Sequence, residues 1–227
     1  MNRSEYNEIE TFMLEQMRDS AHDRYHVYRV LNSTLDIAYH EDTVDFDVLL
    51  AAGLLHDIGR EKQFSNPELC HALVGGDMAY EFLISRKWPE HKALHVKDCI
   101  ATHRYRKKNK PQSIEAKILF DADKLEASGA IGIARTLIYG GQVTEPLYIL
   151  DESGNIRTGG GGAEISSFMQ EYNYKLKNIY GAFYTRRAKE IAAARQKTAV
   201  DFYNGLFAEI YDNNENGIKK HGAIFDD

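Results

Sequence analysis

Cysteine, proline and tryptophan are scarce in this 227-residue chain, at two, four and one copies. Cys70 and Cys99 show no CxxC spacing. That argues against a disulfide framework or a thiolate zinc site and leaves them as small buried residues in a reducing compartment. No stretch reaches the roughly 18 uninterrupted apolar residues of a membrane span. The polar start Asn2-Arg3-Ser4-Glu5 has no signal-peptide core, so a cytoplasmic protein without membrane association is expected. Excess positive charge is missing too: the formal net charge of -6 argues against general nucleic-acid binding. Absent as well are the phosphate loop GxxxxGK(S/T), which argues against ATP-driven work, and the GxSxG nucleophile elbow.

What is present is helical periodicity. Ile9, Phe12, Met13 and Met17 form an amphipathic stripe within residues 5–19, and Val27, Val30, Leu31, Leu35 and Ala38 repeat it over 24–40. Asp45 is placed to cap a helix that ends near Gly59. Asn66-Pro67 marks another start, with Pro67 at the first helical position and a run to about Arg86. Segments 91–105, 113–125 and 130–138 continue the series. After Gly140-Gly141, residues 147–158 read as a small β-hairpin centred on Asp151-Glu152-Ser153-Gly154-Asn155. Gly159 to Gly162 follow as a mobile stretch, and the insertion as a whole reads as a flap or surface excursion. Residues 164–212 return to helix with an aromatic stripe (Phe168, Tyr172, Tyr180, Phe183) suited to core packing or a homodimer face. The tail after Asn213 is expected to fray. The fold class is therefore all-α with a hairpin insertion near 143–160, in one domain over residues 1–227.

The chemistry gathers at His56-Asp57, which ends the apolar run Val48-Leu49-Leu50-Ala51-Ala52-Gly53-Leu54-Leu55. A polar pair in such a run carries a desolvation cost that coordination to a cation offsets. His26 opens an earlier helix, Asp123 lies in Asp121-Ala122-Asp123-Lys124, and His71 and His103 fall between. Two imidazoles and two carboxylates suit a divalent ion: Mn²⁺, Fe²⁺, Co²⁺, Ni²⁺ or Zn²⁺, with Mg²⁺ tolerated.

Three phrases carry a family resemblance: His22-Asp23-Arg24-Tyr25-His26-Val27-Tyr28-Arg29-Val30, Leu54-Leu55-His56-Asp57-Ile58-Gly59-Arg60, and Asp121-Ala122-Asp123-Lys124-Leu125-Glu126-Ala127. Together with Gly129-Ala130-Ile131-Gly132-Ile133-Ala134-Arg135 they resemble the HD-domain superfamily of metal-dependent phosphohydrolases, in particular its small bacterial stand-alone members. The resemblance runs from about residue 20 to about 140; the insertion at 140–163 and the helices at 164–212 are the variable part. It implies an HD helical bundle in which His26, His56, Asp57 and Asp123 hold the ion, with Asp121 behind Asp123. Asp57 or Asp123 would accept a proton from the attacking water, Glu61 is the nearest spare carboxylate, and Lys124 follows the last ligand. Arg60 and Lys62 either hold phosphate oxygens or stay solvated. His71 and His103 serve a second metal or the substrate phosphate. The basic run Arg104-Tyr105-Arg106-Lys107-Lys108-Asn109-Lys110 is a solvated loop or a contact for a phosphate-rich substrate.

The activity implied is hydrolysis of a small phosphorylated metabolite, a nucleotide first among them, with pyrophosphate release from nucleoside triphosphates as a narrower form. Two alternatives stand beside it: a non-catalytic metal- and nucleotide-binding sensor, and a di-iron oxygenase that would need His71 and His103 as ligands. The Gly-Tyr-Pro companion motif of cyclic-dinucleotide HD phosphodiesterases is absent.

Overall fold

The computed structural model describes residues 1–17, 24–104, 109–159 and 167–225. His22-Asp23 of the first motif, Arg18 and Asp19, residues 105–108 of the basic run, Gly160 to Gly162 and residues 164–166 lie outside the described residues. The chain forms two compact units: Met1–Glu126 with Phe183–Ile191, and Ala127–Ala182 with Ala192–Asp227.

Seven helices build most of the first unit: α1 (Arg3–Gln16), α2 (Arg24–Ala38), α3 (Phe46–Leu55), α4 (Arg60–Ser65), α5 (His71–Ser85), α6 (Glu90–Thr102) and α7 (Ile114–Leu125). Their starts are written in local chemistry. Asn2 and Glu5 make a capping box on α1, Asp45 accepts from the Asp47 and Val48 amides on α3, and Ser113 accepts from the Ala116 amide on α7. α3 is apolar on nearly every side, so it is the centre. α1, α2, α5, α6 and α7 all pack against it, and α5 also lies along α6. Leu49, Leu54 and Leu55 are fully buried, each contributing about 1.5–3 kcal/mol by removal from water.

Three expectations need correction here. α3 ends at Leu55, and His56–Gly59 is a separate turn. α5 starts at His71 rather than Pro67: Asn66 Oδ1 accepts from the Glu68 amide at 3.2 Å and Asn66 O from the Leu69 amide at 3.0 Å. That side-chain turn consumes the helix-start signal. Asp121, expected behind Asp123, instead accepts the amides of Tyr184 (2.9 Å) and Thr185 (2.7 Å) and the Thr185 hydroxyl (2.7 Å). It anchors the segment that leads into α10 (Arg186–Phe225).

In the second unit, α8 (Gly129–Gln142), α9 (Phe168–Tyr174), a 3₁₀ turn (Leu176–Gly181) and the rest of α10 enclose Ile133, Phe168, Met169, Tyr172, Leu176 and Ala199. The aromatic stripe is thus largely core, with Tyr172 stacked on Tyr203 at 4.1 Å. The expected continuous helix is interrupted here. Asn173 and Asn178 side chains bond the carbonyls of Met169 (3.0 Å) and Tyr174 (2.8 Å) and compete with helix propagation. The hairpin shrinks to one antiparallel bridge, Leu150 with Ile156, closed by Gly154 at φ +80°. α10 continues past the expected fraying point at Asn213, since extending an established helix is easier than starting one. Among the described residues no helix is long and apolar enough to cross a membrane.

Candidate metal centre

The apolar α3 delivers His56 and Asp57 into the middle of the first unit, and a glycine contact sets where they stop. A Cβ on Gly59 would lie 2.2 Å from His71 O and 2.7 Å from Gly75 N. Only glycine lets the His56–Gly59 turn dock on the first turns of α5. That docking brings Asp57 beside His71, the first residue of α5. His26 comes from α2, His103 follows α6, and Asp123 comes from α7.

The six side chains form two donor groups, His26–His56–Asp123 and Asp57–His71–His103. Asp57 joins them. Its Oδ2 lies 3.5 Å from His26 Nε2 and 3.6 Å from His56 Nε2; its Oδ1 lies 3.5 Å from His71 Nε2 and 3.7 Å from His103 Nε2. Asp123 Oδ1 is 3.4 Å from His26 Nε2. All four imidazoles and Asp57 are buried, whereas the Asp123 side chain keeps 24% of its surface exposed.

Each imidazole is oriented from behind through Nδ1. His56 donates to Gly53 O (2.8 Å), His103 to Ile100 O (2.6 Å), His71 to Gln63 Oε1 (2.6 Å) and His26 to Glu126 Oε2 (3.2 Å). This turns Nε2 of each ring inward, the atom that a metal-ligating histidine offers when neutral. Asp57 Oδ2, His71 Nε2 and His103 Nε2 are buried with no hydrogen-bond partner. Orphaned buried polar atoms are costly, and these three, spread over the two donor groups, fit bound divalent cations.

Protonation follows from the same packing. Burial pulls His26 down, but Asp123, Asp57 and Glu126 outweigh it and raise its pKa to about 10. Burial lowers His56 to about 4, and burial together with Arg60 lowers His71 to about 2. Burial disfavours the ionised form of Asp57 and Asp123, yet the neighbouring cations and imidazoles win and hold both well below the usual carboxylate range. For chelator-treated protein the consequence is two-sided. Protonated His26 stabilises the fold fully below its unfolded pKa of about 6.5, and this is lost as pH rises through about 10. Neutral His56 stabilises it above about 6.5, and this is lost as pH falls through about 4. Thermal melts in chelator should therefore peak between these limits and decline toward both; a flat melting temperature up to pH ~10 would exclude the raised His26.

Of the other expected residues, Arg60 Nε donates to Asp57 Oδ1 at 2.9 Å, and Lys124 Nζ lies 4.7 Å from the centre of the Phe120 ring. Glu61 and Lys62 are exposed on α4 and belong to neither donor group. Glu126 and Arg29 were not singled out from sequence. Glu126 is buried and takes Arg29 Nε at 2.9 Å in addition to the His26 ring. Its signal was spacing: Glu126 follows Asp123 by three residues, as Arg29 follows His26, so each pair shares a helix face.

The HD domain family model matches residues 24–128, a span that contains all six donors. Residues 24–128 are an HD domain. The uncharacterized protein YpgQ of Bacillus subtilis (strain 168) is 28% identical over 209 residues, covering 89% of this chain and 92% of YpgQ. A crystal structure of YpgQ in complex with ADP aligns with a TM-score of 0.70 at 25% identity, over 90% of this chain and 97% of that one. A protein of Lactobacillus plantarum aligns with a TM-score of 0.74 at 24% identity, over 93% and 99%. An HD-superfamily hydrolase from Bacillus thuringiensis aligns at 0.67 with 27% identity, over 92% and 98%. Domain, fold and donor set make this HD-domain protein a metal-dependent hydrolase of the phosphohydrolase type.

Proposed function

We propose that this HD-domain protein hydrolyses a phosphoanhydride bond of a nucleotide, with nucleoside triphosphates giving pyrophosphate as the first case to test. The observation that carries the phosphohydrolase assignment is the pair of donor groups joined by one buried carboxylate, Asp57. The nucleotide is supported by the ADP bound to YpgQ. When bound, a divalent ion lowers the pKa of its water toward neutrality and polarises a phosphoryl oxygen.

The chain's own residues do the rest. His26, His56, Asp57 and Asp123 hold the first ion, and His71 and His103 with the other oxygen of Asp57 offer a second cation position. Neutral His56, with its Nδ1 fixed on Gly53 O, presents a lone pair at neutral pH. Asp123 accepts the proton of the attacking water, because it is ionised and partly open, whereas Asp57 is enclosed and engaged by Arg60. Arg60 and Lys124 supply positive charge for the phosphate oxygens. Glu61 and Lys62 have a weaker claim, being exposed outside the donor groups.

The test is product analysis with Mn²⁺ on nucleoside triphosphates, diphosphates and simple phosphomonoesters. Pyrophosphate from triphosphates supports the assignment, whereas orthophosphate would move the cleaved bond. Nucleotide binding without turnover under Mn²⁺, Co²⁺, Ni²⁺, Fe²⁺, Zn²⁺ and Mg²⁺ would replace the enzyme with a sensor.

A further inference from the structure

The two donor groups share Asp57 but have different partners behind them. Behind the first group, His26 Nδ1 donates to Glu126 Oε2 at 3.2 Å. Glu126 is itself held by Arg29 Nε (2.9 Å) and Nη2 (2.8 Å). A buried carboxylate behind an imidazole makes its ring a better electron donor and fixes its tautomer. The Asp57 oxygen that faces this group, Oδ2, has no hydrogen-bond partner and is available to a cation.

Behind the second group the partners are weaker. His71 leans on the neutral amide of Gln63 (2.6 Å) and His103 on the Ile100 carbonyl (2.6 Å). The Asp57 oxygen that faces them, Oδ1, already accepts the Arg60 guanidinium at 2.9 Å. An ion placed between Oδ1, His71 and His103 would share its carboxylate oxygen with a fixed positive charge a few ångströms away. Like charges at that separation repel, strongly so where water is excluded.

We propose that the centre is unequal by construction. Glu126 and Arg29 make His26–His56–Asp123, with Asp57 Oδ2, the tight position. Arg60 keeps Asp57–His71–His103 weak and exchangeable. Glu126 is thus a positioning residue for His26, and Arg60 sets the occupancy of the second position. This rests on the metal-centre function proposed above, so the test separates the two.

Chelator-treated full-length protein is titrated with Mn²⁺ alone, with free Mn²⁺ followed by electron paramagnetic resonance. Wild type is expected to show one tight and one weak site, separated by about tenfold or more. Glu126→Gln keeps a hydrogen-bond acceptor for His26 but removes the charge, and should weaken the tight site by about 10–100-fold. Arg60→Gln should act in the opposite direction, tightening the weak site by about tenfold and producing an exchange-coupled Mn²⁺ pair signal at lower Mn²⁺. Opposite shifts from two conservative variants cannot come from general loss of fold. Two equally tight sites in wild type, or an Arg60→Gln protein whose second site stays weak, would overturn the proposal while leaving the metal centre standing. No Mn²⁺ binding at all would overturn the metal centre itself.

Discussion

Asp57→Ala should abolish turnover, to below about one thousandth of wild type, and weaken Mn²⁺ binding by at least about 100-fold. Asp57 is the only side chain that belongs to both sides of the centre, with Oδ2 toward His26 and His56 and Oδ1 toward His71, His103 and Arg60 among the described residues. Removing it deletes a ligand from each position at once. It also leaves the Arg60 guanidinium, whose side chain is 27% exposed, to turn toward water. The Mn²⁺-induced rise in melting temperature should vanish with the affinity, since a ligand stabilises only in proportion to its binding. Asp57→Asn keeps the volume and an acceptor for Arg60, and should lose activity to a similar extent. Activity of either variant within tenfold of wild type, in the same phosphate and pyrophosphate assay, would mean that Asp57 is not at the reacting centre.

The largest effect on stability is expected from a residue with no chemistry of its own. Gly59→Ala places a methyl group 2.2 Å from His71 O and 2.7 Å from Gly75 N. Both are backbone atoms of α5, so no rotamer change relieves the contact and the turn must separate from the helix. A cost of about 3 kcal/mol follows from overpacking of this kind, or a fall of roughly 6–12 °C in melting temperature for a chain of this size. The same movement carries Asp57 away from His71 and His103, so Mn²⁺ binding should weaken as well. Melting curves of the chelated and Mn²⁺-loaded protein measure both. An unchanged melting temperature would show that the turn does not dock as closely as the backbone positions imply.

Much of the fold was legible because it is written in local chemistry. The capping residue Asp45 and the stripes of α1 and α2 each act over a few neighbouring positions, and α1, α2 and the start of α3 lie where the pattern placed them. The misreadings arose where side chains compete for backbone groups. Asn66 built a turn instead of a helix start, and Asn173 and Asn178 took carbonyls that a longer helix would have used. Propensity alone does not decide which partner such a side chain takes.

The gathering of candidate donors was also readable. A histidine and an aspartate at the end of an apolar helix have few ways to offset their burial, and His26, Asp123, His71 and His103 were the residues able to help. Sequence could not assign His71 and His103 between metal and phosphate, nor separate Asp121 from Asp123 beyond family resemblance. Those distinctions depend on which atoms face one another across helices far apart in the chain. Tertiary structure turned Asp121 to the amides of Tyr184 and Thr185 and set Glu126 behind His26. It put Arg60 on one oxygen of Asp57 and left the other without a hydrogen bond. Residue types and spacing determined that a cation would be held here; only packing, by choosing the neighbour of each lone pair, decided how the charge around it is divided.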